Sequence, residues 1–267
     1  MGMSLNAVVF DLDDTLVVDE AVSKEAMREV AALAGVRHGT DAAEFLSAAR
    51  RSAAVLWTDN PELTYCDEIG ISFEEALYGN LEAEKSDGSY SFCEWAARTR
   101  GPFFDAVLQA LGVAGEEAGE ELAAAFVTSR RRLQRLMPDA RETLARLRKS
   151  YRVALLTNGA SSIQREKISD AGLASAFDEI IVSGEEGIGK PRSEIFDRLI
   201  SRLGCRAEDC AMVGNSLRRD ILGARDAGFG ATVWLEIAGS EEPADVVPDA
   251  KISGLHELPA LLPQLAS

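Results

Sequence analysis

The chain has 267 residues, 46% of them apolar and 27% charged, and its 44 acidic against 28 basic side chains give a net charge of -16. That length can bury a core for one or two domains, and the acidic excess argues against nucleic acid as a partner, because phosphate backbones attract basic surfaces. No apolar run is long enough to span a bilayer and no basic segment followed by an apolar one opens the chain, so a cytoplasmic protein is expected. The four cysteines are scattered, without the close pairs of a zinc site, and His38 and His256 lie outside any motif.

Residues 5–16 form a short apolar run that ends in acid. Val8, Val9 and Phe10 predict a strand buried on both faces of a parallel sheet. Asp11, Asp13 and Asp14 follow at its carboxyl end, where open α/β sheets bind ligands. Three carboxylates within four residues repel one another unless a cation neutralises them or one keeps a proton. A hard, oxygen-seeking ion such as Mg²⁺ would satisfy them. Asp11 and Asp13, two apart on an extended chain, point the same way.

From residue 17 to 137 the composition turns to Ala, Glu, Arg and Leu, with helical apolar spacing over residues 21–33, 42–56 and 118–136. Breaks are expected at 35–39, 59–61, 85–88 and at Gly101-Pro102. The segment predicts a helical insertion. Its charged and aromatic residues open to a ligand include Arg50, Arg51, Trp57, Tyr65, Trp95 and Arg130 to Arg132, with none singled out.

Strand and helix alternate from residue 138, the pattern of a parallel sheet covered by helices. A helix from Pro138 to about residue 149 precedes the strand 152–156, which ends at Thr157-Asn158-Gly159. A hydroxyl and backbone N–H groups at the start of the next helix make an anion site there. A strand over 177–183 leads through a glycine-rich turn to Lys190, just before Pro191 and a helix running to Leu203. The strand 210–213 ends in Gly214-Asn215-Ser216-Leu217-Arg218-Arg219-Asp220, and a helix from 221 stops at Gly228. A strand at 231–235, an acidic loop at 241–248, an edge strand at 250–253 and a helix at 255–262 complete the chain.

The acidic end of the first strand, Thr157, Lys190 and the segment 214–220 together resemble the four motifs of the haloacid dehalogenase (HAD) superfamily, most of whose members are Mg²⁺-dependent phosphohydrolases. The resemblance covers essentially the whole chain, with the insertion matched in type only. It implies an α/β fold: a Rossmann-like parallel-sheet core of residues 1–16 and 138–267, and a helical cap at 17–137 that closes over the cleft and selects the substrate. Asp11 would then be the nucleophile that forms an aspartyl-phosphate, and Asp13 would protonate the leaving group and later activate water. Thr15 would orient this loop, Thr157 and Asn158 would bind the phosphoryl oxygens, and Lys190 would hold both nucleophile and phosphoryl group.

The same resemblance implies Asp11, Asp13, Asp220 and Asn215 as the Mg²⁺ ligands. The family carries Asp where this chain has Asn215, so the site loses one negative charge while keeping an oxygen donor. Thr157-Asn158-Gly159 with Gln164-Arg165-Glu166-Lys167 looks like the branch of sugar-phosphate and nucleotide phosphatases. The expected partner is a small phosphorylated metabolite, without nucleic acid or membrane, and no heptad seam fixes an oligomeric state. Two alternatives remain: a haloacid dehalogenase, whose branch lacks the carboxylate at position 13 and needs no metal, and a non-catalytic phospho-aspartate signalling module, which has no comparable cap.

Overall fold

Strand β1 (Ala7–Phe10) is wholly buried, as its β-branched and aromatic run requires. The computed structural model describes residues 5–81, 90–113, 118–237 and 245–266. Residues 1–4, the expected break at 85–88 and residues 241–244 of the acidic loop lie outside them. The described chain divides into two units, Met1–Val18 with Arg135–Gly159 and Gln164–Ser267, and Asp19–Gln134 with Ala160–Ile163.

In the first unit a two-residue strand, β2 (Val17–Val18), pairs antiparallel with β3 (Arg135–Leu136). This ribbon moves the boundaries from the expected 16 and 138 to 18 and 135. It also ends the preceding helix before Leu136, which the helical spacing had included. Two residues are too few to show a period.

The main sheet contains β4 (Arg152–Thr157), β5 (Glu179–Val182), β6 (Cys210–Gly214), β7 (Ala231–Leu235) and β8 (Ala250–Ile252) beside β1, in the order β5-β4-β1-β6-β7-β8. Every pairing is parallel. The chain runs from β1 to β4 and β5 on one side and then to β6, β7 and β8 on the other, so the switch point at the carboxyl edge falls between β1 and β6. Alternate residues feed the two sides: Val8 and Phe10 join one apolar cluster with Val153, Leu155 and Val213, while Ala7 and Val9 join another with Ala154, Leu156 and Met212.

The second unit is helical: α1 (Glu20–His38), α2 (Ala42–Thr58), α3 (Leu63–Ile69), α4 (Phe73–Tyr78), α5 (Tyr90–Ala110) and α6 (Ala118–Arg132). Gly35 stays inside α1, and the break falls at Gly39, whose φ of 72° caps the helix. Gly101-Pro102 does not break α5 as expected. Burial of Phe103, Phe104, Val107 and Leu108 just beyond it offsets the hydrogen bond that proline removes. The aromatic rings pack edge-on, Phe103 against Phe104 at 4.7 Å and against Phe73 at 5.2 Å. Trp57 and Trp95 lie against this core, 5.8 Å apart, which accounts for two of the aromatic residues open in the sequence. Arg130 is buried and ion-paired with Asp19, under the ring of Tyr78.

Helices of the first unit are α7 (Ala140–Leu147), α8 (Ser161–Asp170) from Gln164 onward, α9 (Ser183–Glu186), α10 (Ser193–Leu203), α11 (Gly223–Asp226) and α12 (Leu258–Leu265). Ile195, Phe196, Leu199 and Leu203 give α10 the apolar stripe that packs on the cluster around Val9. Among the described residues no helix is long and apolar enough to cross a membrane.

Helices α5 and α6 meet at Gly101 and Gly119. A Cβ at Gly119 would stand 2.2 Å from the Gly101 carbonyl oxygen and 2.6 Å from Asp105 Cγ. Helix propensity alone favours Ala over Gly by up to about 1 kcal/mol, but a backbone oxygen cannot swing aside. Gly119→Ala is therefore expected to lower unfolding free energy by about 1–3 kcal/mol in a urea titration followed by circular dichroism. A gain in stability would show that the helices do not approach so closely.

Candidate active site

The segments that leave the carboxyl ends of β1, β4, β5 and β6 bring polar side chains together at that edge of the sheet. The β1–β6 ladder continues one residue past the strand, Asp11 N–H donating to the Val213 carbonyl at 3.0 Å, which fixes where the Asp11 side chain starts. A tight turn follows, with the amides of Asp14, Thr15 and Leu16 bonded back within residues 12–17 and Asp14 at φ 55°. This turn brings Thr15 under Asp11. Thr15 Oγ1 lies 3.2 Å from Asp11 Oδ2 and 3.3 Å from Asn215 Oδ1. A hydroxyl carries one hydrogen, so the two acceptors share it.

Lys190 Nζ lies between two carboxylates, donating to Asp11 Oδ1 at 2.6 Å and to Asp220 Oδ1 at 2.7 Å. Lys190 and Asp220 side chains are each 1% exposed and that of Asp11 is 11% exposed. Burial is the largest effect on Asp11 and pushes its carboxyl above the usual range; Lys190 opposes this and Asp220 adds to it. For Lys190, burial acts to lower the pKa, but the two carboxylates outweigh it and hold the ammonium charged.

Asp220 follows β6 in a π-helical turn (Leu217–Leu222). Its second oxygen accepts the Ser216 N–H at 3.0 Å. The carboxylate packs against the α-carbon of Gly214, where a Cβ would stand 2.2 Å from Asp220 Oδ2. Asn215 is held from the other side, its carbonyl accepting the Trp234 indole N–H at 2.8 Å.

Thr157 ends β4 and is 1% exposed. Asn158 spends its side chain on the Lys190 backbone, its Oδ1 accepting the Lys190 N–H at 2.8 Å and its Nδ2 donating to the Lys190 carbonyl at 2.9 Å. That side chain therefore positions the lysine loop.

Asp13 is bonded by two side chains of α8. Lys167 Nζ donates to its Oδ1 at 2.8 Å and Gln164 Nε2 to its Oδ2 at 3.0 Å. Gln164 Oε1 is also 3.4 Å from Thr157 Oγ1. The sequence reading named Gln164 and Lys167 only as part of a branch signature. Their one earlier signal was two polar residues three apart on a helix, hence on one face.

Among the described residues, no three His, Cys, Asp or Glu side chains converge as a cation site. The Asp13 carboxylate is bonded by Lys167 and Gln164, and position 215 carries an amide. The donors beside Asp11 are nonetheless all hard oxygens, from Asp220 and Asn215. Three carboxylates against two ammonium groups leave one net negative charge. A phosphate dianion entering such a site would be repelled without a further cation, so the residues present fit a divalent ion.

The haloacid dehalogenase-like hydrolase family model matches residues 5–228, and the chain belongs to that family. It is 35% identical over 255 residues to a phosphoserine phosphatase of Thermus thermophilus, an alignment covering 95% of this chain and 98% of that protein. Human N-acylneuraminate-9-phosphatase is 32% identical over 266 residues, covering 98% and 96%. Among solved structures, the HAD-hydrolase YfnB of Bacillus subtilis, bound to magnesium, is similar with a TM-score of 0.65 at 22% identity, covering 97% of this chain and 99% of that one. At that identity the likeness establishes a shared α/β fold.

The close packing at Gly214 gives a direct check on the cluster. Gly214→Ala is expected to displace Asp220, loosening both the Ser216 and the Lys190 contacts, and to lower kcat by about 10-fold or more, the equivalent of 1.4 kcal/mol. Circular dichroism should remain native. Unchanged turnover would show that Asp220 is not needed where it stands.

Proposed function

We propose that this hydrolase is a Mg²⁺-dependent phosphatase that cleaves a small phosphorylated metabolite, of sugar-phosphate or nucleotide type, through an aspartyl-phosphate on Asp11. The observation that carries this reading is the Asp11 carboxylate, buried at the carboxyl end of β1 and bonded on one oxygen by Lys190 and on the other by Thr15. Hydrogen bonds on both oxygens fix its direction of attack, the positioning that in-line phosphoryl transfer requires.

Asp11, Asp13, Asp220 and Asn215 would hold the Mg²⁺. When bound, the ion supplies positive charge against the phosphoryl oxygens and lets a dianion approach a carboxylate. In the first step an Asp11 oxygen bonds to phosphorus as the bond to the substrate oxygen breaks. Asp13 passes a proton to that oxygen, so the alcohol leaves neutral. In the second step water attacks phosphorus, Asp13 takes its proton, and the Asp11–phosphorus bond breaks to release inorganic phosphate. Lys190 and the Thr157 hydroxyl stabilise the equatorial oxygens throughout. The helical unit, inserted between β2 and β3, would act as the cap that selects the substrate.

The relatives act, by their names, on phosphoserine and N-acylneuraminate 9-phosphate, and both compounds belong in a test panel with sugar phosphates and nucleotides. Phosphate release is expected from at least one member, dependent on Mg²⁺, and Asp11→Asn should reduce it by about 10⁴-fold or more, since removing a covalent nucleophile leaves little of the route. Near-normal turnover by that variant would remove Asp11 as nucleophile. Asn215→Asp restores a negative charge beside the ion, so Mg²⁺ affinity in a calorimetric titration should rise by about 10-fold, on the order of 1.4 kcal/mol. An unchanged affinity would show that Asn215 is not a ligand.

A further inference from the structure

A buried lysine and a buried glutamine that reach from one helix to one carboxylate call for an explanation beyond packing. Lys167 is 2% exposed at its side chain and Gln164 is fully buried. They stand three residues apart on α8, hence on one face. Taking an ammonium group out of water costs several kcal/mol unless a partner of opposite charge offsets it. The partner is Asp13, at 2.8 Å from Lys167 and 3.0 Å from Gln164, one donor on each carboxylate oxygen.

The exposures are unequal. Asp13 keeps 26% of its side chain exposed while Lys167 is sealed. Two donors on separate oxygens fix the plane of the carboxylate. Gln164 also reaches Thr157 Oγ1 at 3.4 Å. One amide therefore spans the residue that would transfer the proton and the hydroxyl that would hold the phosphoryl group.

We infer that Lys167 and Gln164 are positioning residues for Asp13, which orient its carboxylate for proton transfer to the departing substrate oxygen. The inference rests on the phosphatase reading. It assigns neither residue a contact with substrate. Both act through Asp13, so their removal harms the step in proportion to how much the leaving group needs its proton.

That dependence separates positioning from a structural role. Aryl phosphates with acidic leaving groups, such as p-nitrophenyl phosphate, depart with little protonation; alkyl phosphates do not. The experiment measures kcat/KM, which reports the first chemical step, for p-nitrophenyl phosphate and for the best alkyl phosphate of the panel. The proteins are wild type, Asp13→Asn, Lys167→Met, Lys167→Arg and Gln164→Leu. Lys167→Met should lose about 100-fold or more on the alkyl substrate and less than about 10-fold on the aryl one, the range general acid catalysis spans. Asp13→Asn should show the same selectivity. Lys167→Arg, which keeps the charge, should recover part of the alkyl loss, and Gln164→Leu should show a milder form of the selectivity.

Equal losses on both substrates in Lys167→Met and Gln164→Leu, with Asp13→Asn still selective, would overturn the positioning role and leave the phosphatase reading intact. A flat profile in Asp13→Asn would instead overturn the acid assignment on which the inference stands. Should Lys167→Met fail to fold, the Gln164→Leu and Lys167→Arg profiles decide by the same criterion.

Discussion

An ammonium group between two buried carboxylates holds the α/β unit's cluster together. Lys190 joins the end of β1, through Asp11, to the turn after β6, through Asp220, and does so from a loop that follows β5. Without it, two like charges would stand buried side by side, and breaking a buried pair in this way costs about 3–5 kcal/mol. The same ammonium keeps Asp11 from the full effect of its burial. Stability and reactivity thus rest on one side chain.

The loops around that contact are tied mostly to one another. Thr15 reaches Asn215, Asn158 brackets the Lys190 backbone, the Gly159 N–H donates to Ser183 Oγ at 2.8 Å, and Gln164 reaches Asp13. A loop braced by its neighbours does not have to reorganise as charge develops on a substrate, the condition under which fixed dipoles are most effective. Buried polar groups that are fully bonded also specify one arrangement where an apolar surface would allow several. The chain thereby converts a set of short connections into a rigid surface.

Much of this was legible in the sequence, and the reason is local. Val8, Val9 and Phe10 state a buried strand by composition alone, and Asp11 and Thr157 follow a strand signal by one residue, Lys190 and Asp220 by seven. What escaped depends on tertiary partners. Gln164 and Lys167 lie beside Ile163 and Ile168 on a short helix, and only the position of Asp13 reveals what two buried polar side chains there are bonded to. The Asn158 side chain looked like part of an anion site because a turn sequence cannot show that its amide is used by a backbone thirty-two residues away. Gly101-Pro102 reads as a break until the phenylalanines beyond it are seen to be buried, and the β2–β3 ribbon is shorter than any period.

The three tryptophans divide between the two units. Trp57 and Trp95 lie close enough to exchange excitation energy within the helical core. Trp234 stands alone in the α/β unit, its indole N–H bound to the Asn215 carbonyl and the Lys251 ammonium 5.0 Å from its ring centre. Emission depends on the field and the hydrogen bond an indole feels, so this ring reads the state of the Asn215 loop directly. With Trp57 and Trp95 replaced by phenylalanine, the protein carries its own optical label at the candidate metal-binding loop.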